Sequence, residues 1–80
     1  MQLHEIGSEI KRLRKEKNLT QEQVAVMSGI SRVTLGKIEK GVLGSVSVKT
    51  LDIILSILEY EIEFKRKNNF GLIDLDELSS

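Results

Sequence analysis

The chain has 80 residues, with twelve basic residues, twelve acidic residues, one histidine and no cysteine. This inventory excludes disulfides and thiolate metal sites, and a single histidine offers no second imidazole for zinc. A cysteine–histidine pair is excluded as well, and we expect no enzyme activity, no cofactor and no metal. No apolar run approaches the roughly 18 residues that span a bilayer, and the charged N-terminus is unlike a signal peptide. We therefore expect a cytoplasmic protein without a membrane partner.

The zero net charge conceals an uneven distribution along the chain. Residues 1–44 carry eight Lys and Arg against five Asp and Glu, whereas residues 45–80 carry four against seven. Because contact with a polyanion is local, we expect the basic half to face an anion and the acidic half to face something else.

The first two predicted helices are short and amphipathic. The first carries an apolar stripe at steps of three and four residues and ends near Asn18. The stripe consists of Leu3, Ile6, Ile10 and Leu13. Thr20 and Gln23 form a capping box that opens the second helix, and Gly29 turns the chain at its end. The basic run from Lys11 to Lys17 falls mostly off the stripe, which favours a solvated face, with phosphate contact as the alternative.

A third helix is predicted over residues 32–40, directly after a tight turn. Ser31 caps this helix, and Leu35 and Ile38 face the core. The outward side chains are Arg32, Val33, Thr34, Gly36, Lys37 and Lys40. A helix that enters the major groove of DNA needs this mixture of cationic, hydrogen-bonding and small apolar groups. Ordinary solvated charges on an amphipathic helix are the alternative interpretation.

The fourth predicted helix begins at its N-cap, Ser47, and is apolar around more than half of its circumference. Its predicted inner face consists of Val48, Leu51, Ile54, Leu55 and Leu58. Ile53 and Ile57 are also apolar, and a helix of this kind needs a second surface to cover it.

Strict alternation after the fourth helix predicts one β-strand over residues 60–66. Its apolar side consists of Tyr60, Ile62 and Phe64. A lone strand leaves its backbone unpaired, so we expect an antiparallel ribbon between the two chains of a homodimer, laid over Ile53 and Ile57. The domain is thus expected over residues 1–67. Residues 68–80 are expected to form a flexible acidic tail, with a docking or proteolysis motif as the alternative.

The run from Leu19 to Gly41, LTQEQVAVMSGISRVTLGKIEKG, resembles the helix-turn-helix of the Cro/C1 phage-repressor or Xre-type family. The resemblance rests on the Thr-Gln start, Ala25, the Gly turn, the Ser cap and the Ile-Glu-Lys-Gly ending, and it covers about residues 5–58. It implies an all-α, lambda-repressor-like bundle of four to five short helices, to which the C-terminal β-strand is added. It also implies a transcription regulator, expected to be a repressor, that binds a palindromic DNA operator as a dimer.

The resemblance assigns roles to individual residues. Its phosphate-clamping glutamine falls on Gln21, its base-reading positions are carried over to the third helix, and its structural ion pair falls on Arg14 and Glu39. The base-reading positions are Arg32, Val33 and Lys37. The whole predicted DNA-binding set is Gln21, Ser31, Arg32, Val33, Thr34, Lys37 and Lys40. Gly36 departs from a good helix sequence, and it either permits close approach to the DNA backbone or is merely tolerated.

The C-terminal run EYEIEFKRK narrows the resemblance to one group within this family. A fourth helix followed at once by such a strand is similar to HipB-type antitoxins, in which the strand pairs across the dimer. This resemblance implies a HipA-like kinase toxin as the partner and an operon that regulates its own promoter. A function of a different class is a protein-interaction module that neutralises a partner without binding DNA.

Overall fold

The computed structural model describes residues 2–66 and places four α-helices in that range: α1 (Leu3–Glu16), α2 (Gln21–Ser28), α3 (Arg32–Glu39) and α4 (Val48–Ile57). The described part of the chain is all-α, in agreement with the predicted class. None of these four helices is long and apolar enough to cross a membrane. The side chain of Leu3 and the predicted tail, residues 68–80, lie outside the described residues.

Side-chain caps fix the starts of three helices, as the sequence predicts. Thr20 and Gln23 form the capping box of α2: the Thr20 hydroxyl accepts the Gln23 amide at 3.0 Å, and Gln23 Oε1 accepts the Thr20 amide at 2.8 Å. Ser31 and Ser47 cap α3 and α4, each accepting the amide three residues further on at 3.0 Å. Each cap satisfies a backbone donor that the first helical turn leaves free.

The core lies where α3 packs against α1 and α2, and where α4 packs against α2. Its buried members are Ile10, Leu13, Val24, Ala25, Leu35, Ile38, Ile54 and Leu58. The predicted inward positions of α3 are confirmed, since Leu35 and Ile38 are fully buried. The prediction for Val48 is wrong, because this residue is 73% exposed. Val48 occupies the first turn of α4. Leu51 is the first residue of α4 that packs against the core.

The predicted strand over residues 60–66 is not observed. These residues follow α4 without regular secondary structure. A strand is defined by the backbone hydrogen bonds that it shares with a second strand, and the described residues of a single chain supply no second strand. The alternation in the sequence concerns side chains only, so it reports which side is apolar and not whether the backbone is paired.

A close crossing of two backbones sets the distance between α1 and α3. A Cβ atom on Gly7 would lie 2.3 Å from the carbonyl oxygen of Ile38 and 2.8 Å from the amide nitrogen of Gly41. Both neighbours are backbone atoms, which move only if the end of α3 moves. The missing side chain at Gly7 therefore lets α1 lie directly on the end of α3.

Replacement of Gly7 by Ala should destabilise the fold by about 1–3 kcal/mol, because the new methyl overpacks this crossing. Gly36→Ala in α3 is the matched control, since its added methyl would lie no closer than 3.9 Å to a neighbouring atom. The control should gain up to about 1 kcal/mol of helix propensity. Urea unfolding followed by circular dichroism measures both changes. A stabilised Gly7→Ala variant would contradict the crossing.

Candidate nucleic-acid interface

The turn between α2 and α3 holds the two helices in a fixed relation. Gly29 ends α2 with φ of 72°, in the left-handed region that suits glycine, and the Ile30 amide donates to the Ala25 carbonyl at 3.0 Å. Ala25 is buried, so only a methyl group separates α2 from its neighbours. The arrangement is a helix-turn-helix in which one face of α3 packs on the core and the other is exposed.

The exposed face of α3 and the first residue of α2 enclose a shallow groove of about 290 Å³. The groove is lined by Gln21, Arg32, Val33, Gly36, Lys37 and Lys40. Its lining contains three cations and one amide but no carboxylate, so its electrostatics favour an anion. Five of the seven predicted DNA-binding residues meet here. The other two, Ser31 and Thr34, lie at the start of α3, where their hydroxyl oxygens are 2.9 Å apart.

Beneath this groove, Arg14 of α1 and Glu39 of α3 form a buried ion pair. The Arg14 Nε atom donates to Glu39 Oε2 at 2.7 Å, and Nη2 donates to Oε1 at 3.1 Å. The remaining guanidinium nitrogen, Nη1, donates to the Leu19 carbonyl at 2.8 Å. Arg14 is 7% exposed and Glu39 is 6% exposed, so both charged groups are removed from water and each neutralises the other. This pair ties α1, α3 and the loop before α2 together.

Gln21 joins the same network, which the sequence did not indicate. Its Nε2 atom donates to Glu39 Oε1 at 3.0 Å. A carboxylate only accepts hydrogen bonds, so the nitrogen end of the amide must face Glu39. One of the two amide hydrogens is used in this way, and the other is left for a ligand in the groove. Only the tertiary packing of α2 on α3 brings these two residues, 18 positions apart, into contact.

The predicted dimerisation residues lie elsewhere. Ile53 and Ile57 are half-buried on α4, and no residue of this set lines the groove of α3. Tyr60 and Ile62 border a larger apolar groove of about 450 Å³ between α1, α4 and the following segment. Phe64 is 98% exposed. The single chain thus leaves much of the apolar side of residues 60–64 open to solvent.

Within the basic run of α1, Arg12 pairs along its own helix, whereas Lys17 pairs with Glu59 after α4. Arg12 donates to Glu9 and, at 3.0 Å, to Glu16 Oε1. The hydrogen bond from Arg12 lowers the pKa of the Glu9 carboxyl below its ordinary value, and the hydrogen bond to Glu9 raises the pKa of Arg12. The Arg12 bonds lie on an exposed helix surface, which agrees with a solvated face at this residue, whereas Arg14 of the same run is buried.

A sequence profile of the helix-turn-helix family matches residues 10–65. The chain belongs to the helix-turn-helix family. Among curated proteins it is similar to RghRB of Bacillus subtilis, described as an uncharacterized HTH-type transcriptional regulator, with 37% identity over 57 residues. The match covers 71% of this chain and 41% of RghRB, so the chain spans about two-fifths of the length of that relative.

Two solved helix-turn-helix structures are similar over most of their length. One is the restriction-modification controller protein C.AhdI from Aeromonas hydrophila, with a TM-score of 0.67, 32% identity, and coverage of 74% of this chain and 88% of that one. The other is SinR, a master regulator for biofilm formation, solved in complex with DNA. Its TM-score is 0.63 at 28% identity, with coverage of 70% of this chain and 89% of that one.

The buried ion pair makes a testable prediction about stability. Glu39→Ala should destabilise the fold by about 3–5 kcal/mol, because it leaves the Arg14 guanidinium buried without its carboxylate. The double variant Arg14→Leu/Glu39→Leu should be more stable than Glu39→Ala, since it leaves no buried charge. Urea unfolding of both variants measures the difference. A double variant no more stable than Glu39→Ala would show that the two charges do not act as a pair.

Proposed function

We propose that this chain is a sequence-specific DNA-binding transcription regulator that places α3 in the major groove. The observation that carries the proposal is the groove on α3, whose lining offers three cations and the Gln21 amide nitrogen as hydrogen-bond donors and contains no carboxylate. Such a surface fits the acceptor-rich phosphates and guanine edges of duplex DNA. The determination of SinR, a member of the same fold, in complex with DNA supports this reading.

Within the groove, we assign base contacts and phosphate contacts to different residues. Arg32, Val33 and Lys37 lie on the exposed face of α3, where long donors reach base edges and a small apolar side chain meets a thymine methyl. Gln21 and Lys40 line the same groove, and their donors contact the phosphate backbone. Ser31 and Thr34 share a hydroxyl hydrogen bond at 2.9 Å, which leaves one of their two hydroxyl hydrogens for a phosphate.

Replacement of Arg32 or Lys37 by Ala should cost about 1–3 kcal/mol of binding to the preferred duplex and relax the base preference. Gln21→Ala should weaken all duplexes alike, because a phosphate contact carries no sequence information. The preferred duplex is first selected from a random-sequence pool with the wild-type chain, and its Kd is then measured by fluorescence anisotropy.

Lys49→Ala provides the matched control for these variants. Lys49 is an exposed cation on α4 that does not line the groove, so its removal should change affinity little. Unchanged affinity and base preference in both the Arg32 and Lys37 variants would exclude α3 as the reading element. A wild-type chain that enriches no duplex at low salt would favour the protein-interaction module instead.

We further propose that the chain acts as a homodimer through residues 60–66. Three observations support this: Phe64 is 98% exposed, Tyr60 and Ile62 border the apolar groove beside α4, and Ile53 and Ile57 are only half-buried. A second chain paired along this segment would cover the apolar side and satisfy its backbone. A two-fold axis there would present two copies of α3 to a palindromic operator.

The double variant Ile62→Ala/Phe64→Ala should be monomeric in sedimentation experiments, because it removes the apolar side of the paired segment. The control is Lys65→Ala, an exposed residue on the polar side of the segment that does not line this groove, and it should remain dimeric. Phe64 is exposed in the single chain, so its loss should leave the monomer folded. A stable dimer of Ile62→Ala/Phe64→Ala would exclude this interface.

The narrower antitoxin role rests on the C-terminal pattern alone and stays a prediction. It requires a HipA-like kinase as partner and repression of the chain's own promoter. The neighbouring reading frame tests it: a kinase-like toxin gene there, whose product is bound by this chain, would support the role. The absence of any such gene would leave a regulator without a toxin.

A further inference from the structure

Gly36 lies in the middle of α3, where the fold itself has no need of a glycine. Its backbone does not adopt positive φ, and the nearest atom to an added Cβ, Gln21 Nε2, would be 3.9 Å away, an ordinary van der Waals distance. Gly7 in α1 is different, because a Cβ there would collide with backbone atoms at 2.3 Å. Alanine at position 36 would therefore fit the free protein and improve the helix. No contact among the described residues accounts for the glycine.

Position 36 forms part of the wall of the α3 groove, which Gln21, Lys37 and Lys40 also line. The three cationic side chains of this lining and the Gln21 amide nitrogen all donate hydrogen bonds, which suits a phosphate oxygen, because that oxygen only accepts.

The nearest carboxylate is held away from the groove. Glu39 follows in the same helix, but both of its oxygens are occupied by Arg14, and Oε1 also accepts from Gln21. The buried Arg14 guanidinium neutralises the Glu39 carboxylate, so this carboxylate does not repel an anion above Gly36. The hydrogen bond to Glu39 also holds the Gln21 amide beside Gly36, with one hydrogen still unused.

We propose that Gly36 forms the floor of a phosphate seat, a binding site for one backbone phosphate of DNA in which Gln21 and Lys40 are the donors. This inference rests on the proposed function and deepens it. A methyl group at position 36 would occupy the floor and hold the phosphodiester farther from both donors. The cost falls on the bound state, because the free chain has room for the methyl.

The first test compares Gly36→Ala with Gly44→Ala in the full chain. Gly44 also has open space around its added methyl, lacks positive φ and lies outside the groove, so it is a matched control. The probes are a duplex selected from a random pool by the wild-type chain, and poly(dI-dC). Gly36→Ala should weaken both by about tenfold and lower the salt slope by about one, as loss of one phosphate contact requires. Its melting temperature should equal or exceed that of the wild type, and Gly44→Ala should match the wild type throughout.

A scan of single methylphosphonate substitutions in the selected duplex locates the phosphate. At one symmetry-related position per half-site the neutral linkage should weaken the wild type but add little to the Gly36→Ala defect, because both changes remove the same contact. Additive losses at every position, unchanged affinity of Gly36→Ala, or an altered base preference with intact phosphate effects would each overturn the inference while leaving the proposed function standing. If the wild-type chain binds no duplex, the proposed function fails and the phosphate seat fails with it.

Discussion

The carboxylate of Glu39 is the point on which the rest of the structure depends. It accepts two hydrogen bonds from Arg14 and one from Gln21, and so joins α1, α2 and α3 at a single buried group. An unpaired charge at such a position would cost several kcal/mol, so the three helices are held in the one arrangement that satisfies it. Because Gln21 lines the groove and Glu39 lies beneath it, the interaction that fixes the fold also orients a residue of the candidate DNA interface.

Two glycines in helices illustrate how the same residue serves different ends. Gly7 is required by the free protein, since α1 and the end of α3 approach too closely for a side chain. Gly36 is not required by any contact within the described residues, and it lies in the wall of the groove. Each glycine lowers the helix propensity of its segment. Gly7 allows two helices to pack closely, and Gly36, as we infer, allows a ligand to bind.

The uneven local arrangement of charge makes a neutral chain compatible with the polyanionic partner that we propose. Arg12 is engaged by Glu9 and Glu16, and Arg14 is buried against Glu39, so neither contributes an unopposed charge. The cations of the groove, Arg32, Lys37 and Lys40, have no carboxylate beside them in its lining. The net charge of the chain is zero, but the exposed face of α3 is positively charged. This local charge determines the attraction to a phosphate backbone.

Local sequence signals determined the helices, their caps and the family. Thr20, Ser31 and Ser47 act within three residues of chain, and the stripe through Ile10 and Leu13 depends only on helical period, so a linear reading suffices. Tertiary structure alone decided that Gly7 lies on the backbone of α3, that Gln21 bonds to Glu39, and that Val48 is exposed. Each of these depends on the distance between elements far apart in the chain, which periodicity does not encode. The proposed pairing of residues 60–66 would be a property of two chains, so a single folded copy does not contain it.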